Sequence, residues 1–156
     1  MTYFLGEFAC KADIKGRILL PAGLKKQLPP EADEKFVINR GFEQNLVLYP
    51  RTEWERITSE INKLNPYNKK NREFIRYFFR GATELQLDSN GRLLLPKPLL
   101  QYAGIDKDMI LFAHTGKIEV WGKQIYDNML SSEPEDFADL AEEVMGNKRS
   151  DDAING

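Results

Sequence analysis

The chain has 156 residues, of which 29% are charged and 42% apolar, and its formal net charge is −2. That length points to one domain with an ordinary globular composition. The single cysteine, Cys10, excludes a disulfide framework and a multi-cysteine zinc site, no apolar run approaches the ~20 residues of a membrane span, and charge at Glu7 interrupts any secretory signal.

In chain order, residues 3–12 carry a strand pattern, and Cys10 within it reads as a small apolar filler. A Lys15-Gly16 turn follows, then a short strand from Arg17 to Leu20 that Pro21 stops, because proline offers no ladder donor. Residues 22–28 suit a short helix with Leu24 and Leu28 on one face. Pro29-Pro30 ends it. Residues 36–39 and 46–49 form a strand pair around Gly41 and Asn45. A helix over 52–64 follows, with Thr52 as its N-cap and Glu53 and Glu55 in the positive first turn. Its apolar stripe is Trp54, Ile57, Ile61 and Leu64. Asn65-Pro66-Tyr67-Asn68 breaks that helix. A second helix over 69–80 joins the two halves of the chain. It buries Phe74, Ile75, Phe78 and Phe79 and gathers Lys69, Arg72, Arg76 and Arg80 on the other side, either as a phosphate-tracking face or as a solvated one.

The order then repeats. A strand over 82–87 leads into Asn90-Gly91, a strand from Arg92 to Leu95, a helical stretch over 97–104, and strands over 109–113 and 117–121 around Thr115-Gly116. A helix over 123–130 closes this half. The tail is acidic, with a short amphipathic helix expected over 135–145 (Phe137, Leu140, Ala141, Val144, Met145) and disorder over 147–156. The helix can cover its own barrel or dock a partner.

The repeat is legible residue by residue. Asp13-Ile14-Lys15-Gly16-Arg17 returns 75 positions later as Asp88-Ser89-Asn90-Gly91-Arg92, and each copy runs into three apolar residues and a proline. Further on the offset is 72, aligning Leu46, Leu48, Tyr49 and Trp54 with Ile118, Val120, Trp121 and Tyr126. Two halves of this size would each be marginal alone, so they are expected to share one core. The boundaries read are 3–64 for the first repeat, 65–81 for the linking helix, 82–130 for the second repeat and 131–156 for the acidic tail.

The pentapeptide carries the chemistry. Asn90-Gly91 is a type I′ hairpin signal, whereas in Lys15-Gly16 the glycine alone is expected in the left-handed region. Asp13 and Asp88 accept backbone N–H bonds in their turns, and each can pair with the arginine four positions on. Two readings stand. The pairs can simply pin hairpins, with Asp13, Gly16, Asp88 and Gly91 orienting the loops. Alternatively, the fork of Arg17 donates to guanine O6 and N7 or to phosphate, while Lys11, Lys15, Lys25 and Lys26 hold phosphates.

Charge distribution bears on the choice. Residues 131–156 hold eight acids and two bases, net −6, which leaves 20 bases and 16 acids in residues 1–130, net +4. Local field rather than net charge steers a protein to phosphate. The first half is the more basic around its loop. In the second, Arg92 and Lys97 are read as the nearby bases, opposed by Glu84 and Asp88.

Three function classes compete. An enzyme lacks support: His114 is the one histidine and falls in a hairpin, and no nucleophile elbow, P-loop or metal spacing is present. A protein-interaction scaffold without specific DNA binding is the second class. A DNA-binding regulator is the third. Salt dependence separates the last two, since phosphate contacts weaken steeply with salt.

The two pentapeptides with Leu20-Pro21 and Leu95-Pro96, together with Phe78-Phe79-Arg80-Gly81-Ala82 in the linker, resemble the MraZ family of bacterial regulators with tandem SpoVT/AbrB-like domains. The resemblance covers residues 3–130. It implies an α+β, double-split β-barrel of swapped hairpins. It also implies a homo-oligomeric ring that acts as a sequence-specific repressor of its own division and cell-wall operon. Such a regulator would bind repeated G-rich boxes in double-stranded DNA upstream of its gene. The family's DNA-contacting arginine maps onto Arg17, with Lys15 beside it; Arg92, next to Asn90, is the matching position in the second repeat. The lack of a secretory signal and of a membrane span fits a cytoplasmic protein, expected as a DNA-binding regulator to be nucleoid-associated, and the residues lead to no expectation of a catalytic residue, metal, cofactor or small-molecule substrate.

Overall fold

The computed structural model describes residues 3–131 and 136–155. Eight strands alternate with helices in an α+β arrangement. In the first half come β1 (Phe4–Lys11), β2 (Arg17–Leu19), α1 (Ala22–Lys25), β3 (Lys35–Arg40), β4 (Leu46–Pro50) and α2 (Arg51–Ile61). After the linking helix α3 (Lys69–Phe79) come β5 (Thr83–Gln86), β6 (Arg92–Leu94), α4 (Lys97–Tyr102), β7 (Asp108–Thr115), β8 (Lys117–Gly122) and α5 (Lys123–Leu130). One compact unit ends at Tyr126, and a second begins at Asp127. The latter contains α6 (Phe137–Asn155), which is longer than the helix expected over 135–145 and continues through residues expected to be disordered.

The strands exchange partners between the halves. The large sheet runs β1-β7-β8-β4-β3-β5, and β2 pairs β6 in a separate antiparallel ribbon. Thus β1 of the first half pairs β7 of the second, and β5 of the second pairs β3 of the first. The registers define a pseudo-dyad. It passes through Val47↔Glu119 in the sheet and through Ile18↔Leu93 in the ribbon. This is the swapped-hairpin, double-split barrel, and its halves share one core: Ile18, Phe36, Ile38, Leu46 and Leu48 join Leu93, Met109, Leu111, Ile118 and Val120 in one buried cluster. Alternation along β4 and β8 puts Leu46, Leu48, Ile118 and Val120 at zero exposure.

The helices differ in detail from expectation. Residue Pro50, not Thr52, precedes α2, with no side-chain cap, because a proline of fixed φ suits the position before a helix that opens straight out of β4. Leu64 lies beyond the end of α2. In α3 Phe78 is buried, while Phe74 is 40% exposed. Its N-cap is Asn68, whose side chain accepts from the Asn71 N–H at 3.1 Å. The C-terminal end of α3 is pinned to the sheet, where buried Asn39 Nδ2 donates to the Phe78 carbonyl at 3.0 Å. Trp54 stacks on Phe78 with centroids 5.5 Å apart. Its counterpart Tyr126 packs on Trp121, as Trp54 also packs on Tyr49, and donates to Glu7 Oε2 at 2.6 Å. Cys10 packs against the core, and burial pushes its thiol pKa up to about 12, the behaviour of an inert filler.

Candidate nucleic-acid interface

Each Asp-x-x-Gly-Arg segment builds the same loop. The Gly16 N–H donates to the Asp13 carbonyl at 2.9 Å, and the Gly91 N–H to the Asp88 carbonyl at 3.0 Å. Both glycines have positive φ, +92° and +76°. A turn with Asp at its first position and left-handed Gly at its fourth, closed by Asp13 N–H donating to the Arg17 carbonyl, is a type I turn with a glycine bulge. Asn90 does not have positive φ, which corrects the type I′ expectation. The loop is one residue longer than a two-residue hairpin, so only the glycine needs the left-handed region.

The aspartates organise these loops. Asp13 Oδ1 accepts from the Lys15 and Arg17 N–H groups, both at 2.9 Å, and its Oδ2 accepts from Arg17 Nε at 2.8 Å. Asp88 Oδ1 accepts from the Asn90 and Arg92 N–H groups at 2.8 and 2.9 Å, and its Oδ2 from Arg92 Nε at 3.2 Å. The Arg17 backbone N–H is the largest influence holding the Asp13 pKa below its ordinary value, with the guanidinium and the Lys15 N–H adding to it; Arg92 and Asn90 act likewise on Asp88. Because Nε is the atom engaged, the Nη groups of both arginines have no protein partner among the described residues. A guanidinium whose near edge is clamped presents its far edge as a fixed two-pronged donor.

The ribbon brings these arginines together. In β2 and β6 the register is Arg17↔Leu94, Ile18↔Leu93 and Leu19↔Arg92. Ile18 and Leu93 point into the core, at 1% and 0% exposure. Strand alternation then puts Arg17, Leu19, Arg92 and Leu94 together on the outer face. The loops also brace one another, since the Leu95 N–H donates to the Gly16 carbonyl at 2.9 Å and the Leu20 N–H to the Gly91 carbonyl at 3.0 Å.

The lysines redistribute across the pseudo-dyad. Lys25 Nζ lies beside Gly91, 3.7 Å from where a Cβ would stand, whereas the equivalent neighbour of Gly16 is Leu100 Cδ1 at 3.5 Å. Lys97, read from the sequence as a neighbour of the second loop, lines a hollow with Asp13, Ile14 and Gly16 of the first. Both shifts have one cause: each helix after the ribbon crosses to the opposite loop. Lys15 is exposed in the first loop and Asn90 in the second. Lys26, also exposed, caps the C-terminal end of α1. Lys11 stands at the end of β1, 3.9 Å from Asp108, and is the sequence candidate that the register pairs with an acid. Lys69, Arg72 and Arg76 share one surface hollow of α3 with Glu73 and Tyr77. The sequence reading missed Leu19 and Leu94, which are 61% and 55% exposed. Period-two alternation within each apolar run would have found them.

Among the described residues no group of His, Cys, Asp and Glu side chains could hold a metal ion, and no helix is long and apolar enough to cross a membrane.

Comparison with known proteins gives a consistent family. The family model described as "MraZ protein, putative antitoxin-like" matches twice in tandem, over residues 3–77 and 78–148. A protein of Christiangramia forsetii named transcriptional regulator MraZ is 47% identical over 148 residues, covering 94% of this chain and 96% of its own length. Proteins of the same name from Flavobacterium psychrophilum and Cytophaga hutchinsonii are 45% and 41% identical, covering 97% and 93% of this chain and 98% and 96% of their own lengths.

Proposed function

The chain belongs to the MraZ family, and on that footing we propose that it is a transcriptional regulator that binds specific double-stranded DNA and represses its own division and cell-wall operon. Its relatives bear the name of transcriptional regulators, and its role is accordingly non-enzymatic. The observation that carries the DNA-binding reading is the ribbon face. There Arg17 and Arg92 stand on one surface, each clamped at Nε by its own aspartate, with Nη groups that have no protein partner among the described residues.

A two-stranded ribbon fits the major groove, where a guanine offers O6 and N7 to an arginine fork. Lys15, Lys25 and Lys26 would supply phosphate contacts around it. In this reading a homo-oligomeric ring repeats the ribbon, so that successive G-rich boxes are bound with avidity that needs no further contacts per subunit. Phe42 and Tyr77, exposed beside Phe74 and Phe78 around one hollow, support a face that seats a neighbouring subunit.

The test is fluorescence anisotropy of a duplex from this gene's upstream region against a scrambled duplex, at two salt concentrations. Selective binding that weakens with salt supports the proposal. An intact oligomer with no selectivity would sink it and leave the scaffold reading.

A further inference from the structure

We propose that Leu19 and Leu94 are specificity-determining contacts, each reading the 5-methyl group of a thymine next to the base taken by an arginine; the inference rests on the DNA-binding reading above. The outer face of the ribbon is a two-by-two array. Register sets Leu94 directly opposite Arg17 and Leu19 directly opposite Arg92, so arginines occupy one diagonal and leucines the other. Side chains directly opposite have Cβ atoms roughly 5 Å apart. Those two apart on one strand are roughly 6.6 Å apart, about two base steps of 3.4 Å.

A single exposed leucine carries no message. Here two occur at pseudo-dyad-related positions, 61% and 55% exposed, each facing a guanidinium with unengaged Nη groups. A solvated ribbon face gains nothing from leucine where threonine or lysine would serve. The occupant is decided by charge and by area. Asp13 and Asp88 offset the charges of Arg17 and Arg92, and Lys15 in the first loop with Lys25 beside the second leaves the surroundings net positive, which suits a polyanion. Two half-exposed leucines fall far short of the roughly 800 Å² per partner that a stable protein interface needs. In the major groove the thymine methyl is the apolar group, and it lies on the same base edges that an arginine fork reads.

The experiment begins with duplexes selected by the full-length protein from a random-sequence pool. In the best-bound duplex each thymine is then replaced by uracil, which removes only the methyl. Anisotropy is measured with the wild type and with Leu19→Ala and Leu94→Ala. At least one swap per box should weaken the wild type roughly fourfold, the worth of one buried methyl-sized group. The matching leucine variant should bind the thymine duplex that much more weakly and be indifferent to the swap. Leu19→Gln and Leu94→Gln, which keep side-chain length, give the same readout where an alanine variant misfolds.

If the wild type selects a sequence but no uracil swap matters, the thymine-methyl contact is overturned while DNA binding stands. The same holds if the swap effect persists in the leucine variants, or if those variants lose the oligomer. If the wild type selects no sequence, the DNA-binding reading fails first.

Discussion

Lys25 Nζ lies beside Gly91, 3.7 Å from the position of a Cβ there, although sequence order puts Lys25 with the loop of Asp13. We therefore expect Lys25→Ala to weaken selected and scrambled duplexes alike and to lower the salt slope by about one. Its effect should be coupled to that of Arg92→Ala and additive with that of Arg17→Ala. A double-mutant cycle by anisotropy checks this. Coupling to Arg17 instead would mean that Lys25 serves the first loop.

The two arginines should matter comparably, because the ribbon displays them equivalently. Arg17→Ala and Arg92→Ala should each cost about 1–3 kcal/mol of selective binding, the worth of a bidentate base contact. Arg17→Lys should not restore it, since an ammonium cannot bridge two acceptors in a plane. Circular dichroism and gel filtration should show fold and oligomer unchanged. An Arg92→Ala protein with wild-type selectivity would confine base reading to the first loop.

The aspartates give a pH signature. Each has a pKa below its ordinary 3.8 in the folded chain, through N–H donation from its arginine first. The folded state therefore binds fewer protons than the unfolded state as pH falls through this window. The stabilisation is complete above about pH 5, where an unfolded aspartate is almost fully charged, and is lost as pH drops through the lowered value. NMR titration of the Asp13 side-chain carboxyl should find that lowered value, and Arg17→Ala should raise it only part of the way, because the backbone N–H groups of residues 15 and 17 still donate to the carboxylate. At neutral pH, Asp13→Asn should weaken DNA binding by freeing the Arg17 fork. A normal Asp13 pKa in the wild type would refute the clamp.

The two glycines should differ in their tolerance. A Cβ on Gly16 would meet the Leu95 carbonyl oxygen at 2.8 Å, while one on Gly91 meets nothing closer than Lys25 Nζ at 3.7 Å. Both substitutions are strained by positive φ, a cost of order 1–3 kcal/mol. Gly16→Ala adds a backbone clash at the bond bracing the loops. It should therefore have the lower midpoint in urea unfolding of the two alanine variants. Equal midpoints would show that Leu95 yields without cost.

Much of the candidate site is legible in the chain. The two pentapeptides announce equivalent loops, and the aspartate-to-arginine spacing announces the clamp, because these are local bonds between residues at most four apart. The type I′ expectation fails at Asn90 because sequence names the turn-favouring residues without giving the loop length the strands will adopt. The expected cap at Thr52 fails because β4 runs directly into α2, a tertiary join.

Sequence by itself determined the repeat, the apolar periodicity of each strand and the identity of the charged loop, since these depend on spacing along one chain. Only the tertiary structure decided which pieces meet. Pairing β2 with β6 turns two distant arginines and two otherwise ordinary leucines into one face. Strand exchange carries Lys25 to the second loop and Lys97 to the first. The physical reason is that neither half can bury Ile18 or Leu93 against its own strands alone. The shared core forces the exchange, and the exchange composes the surface.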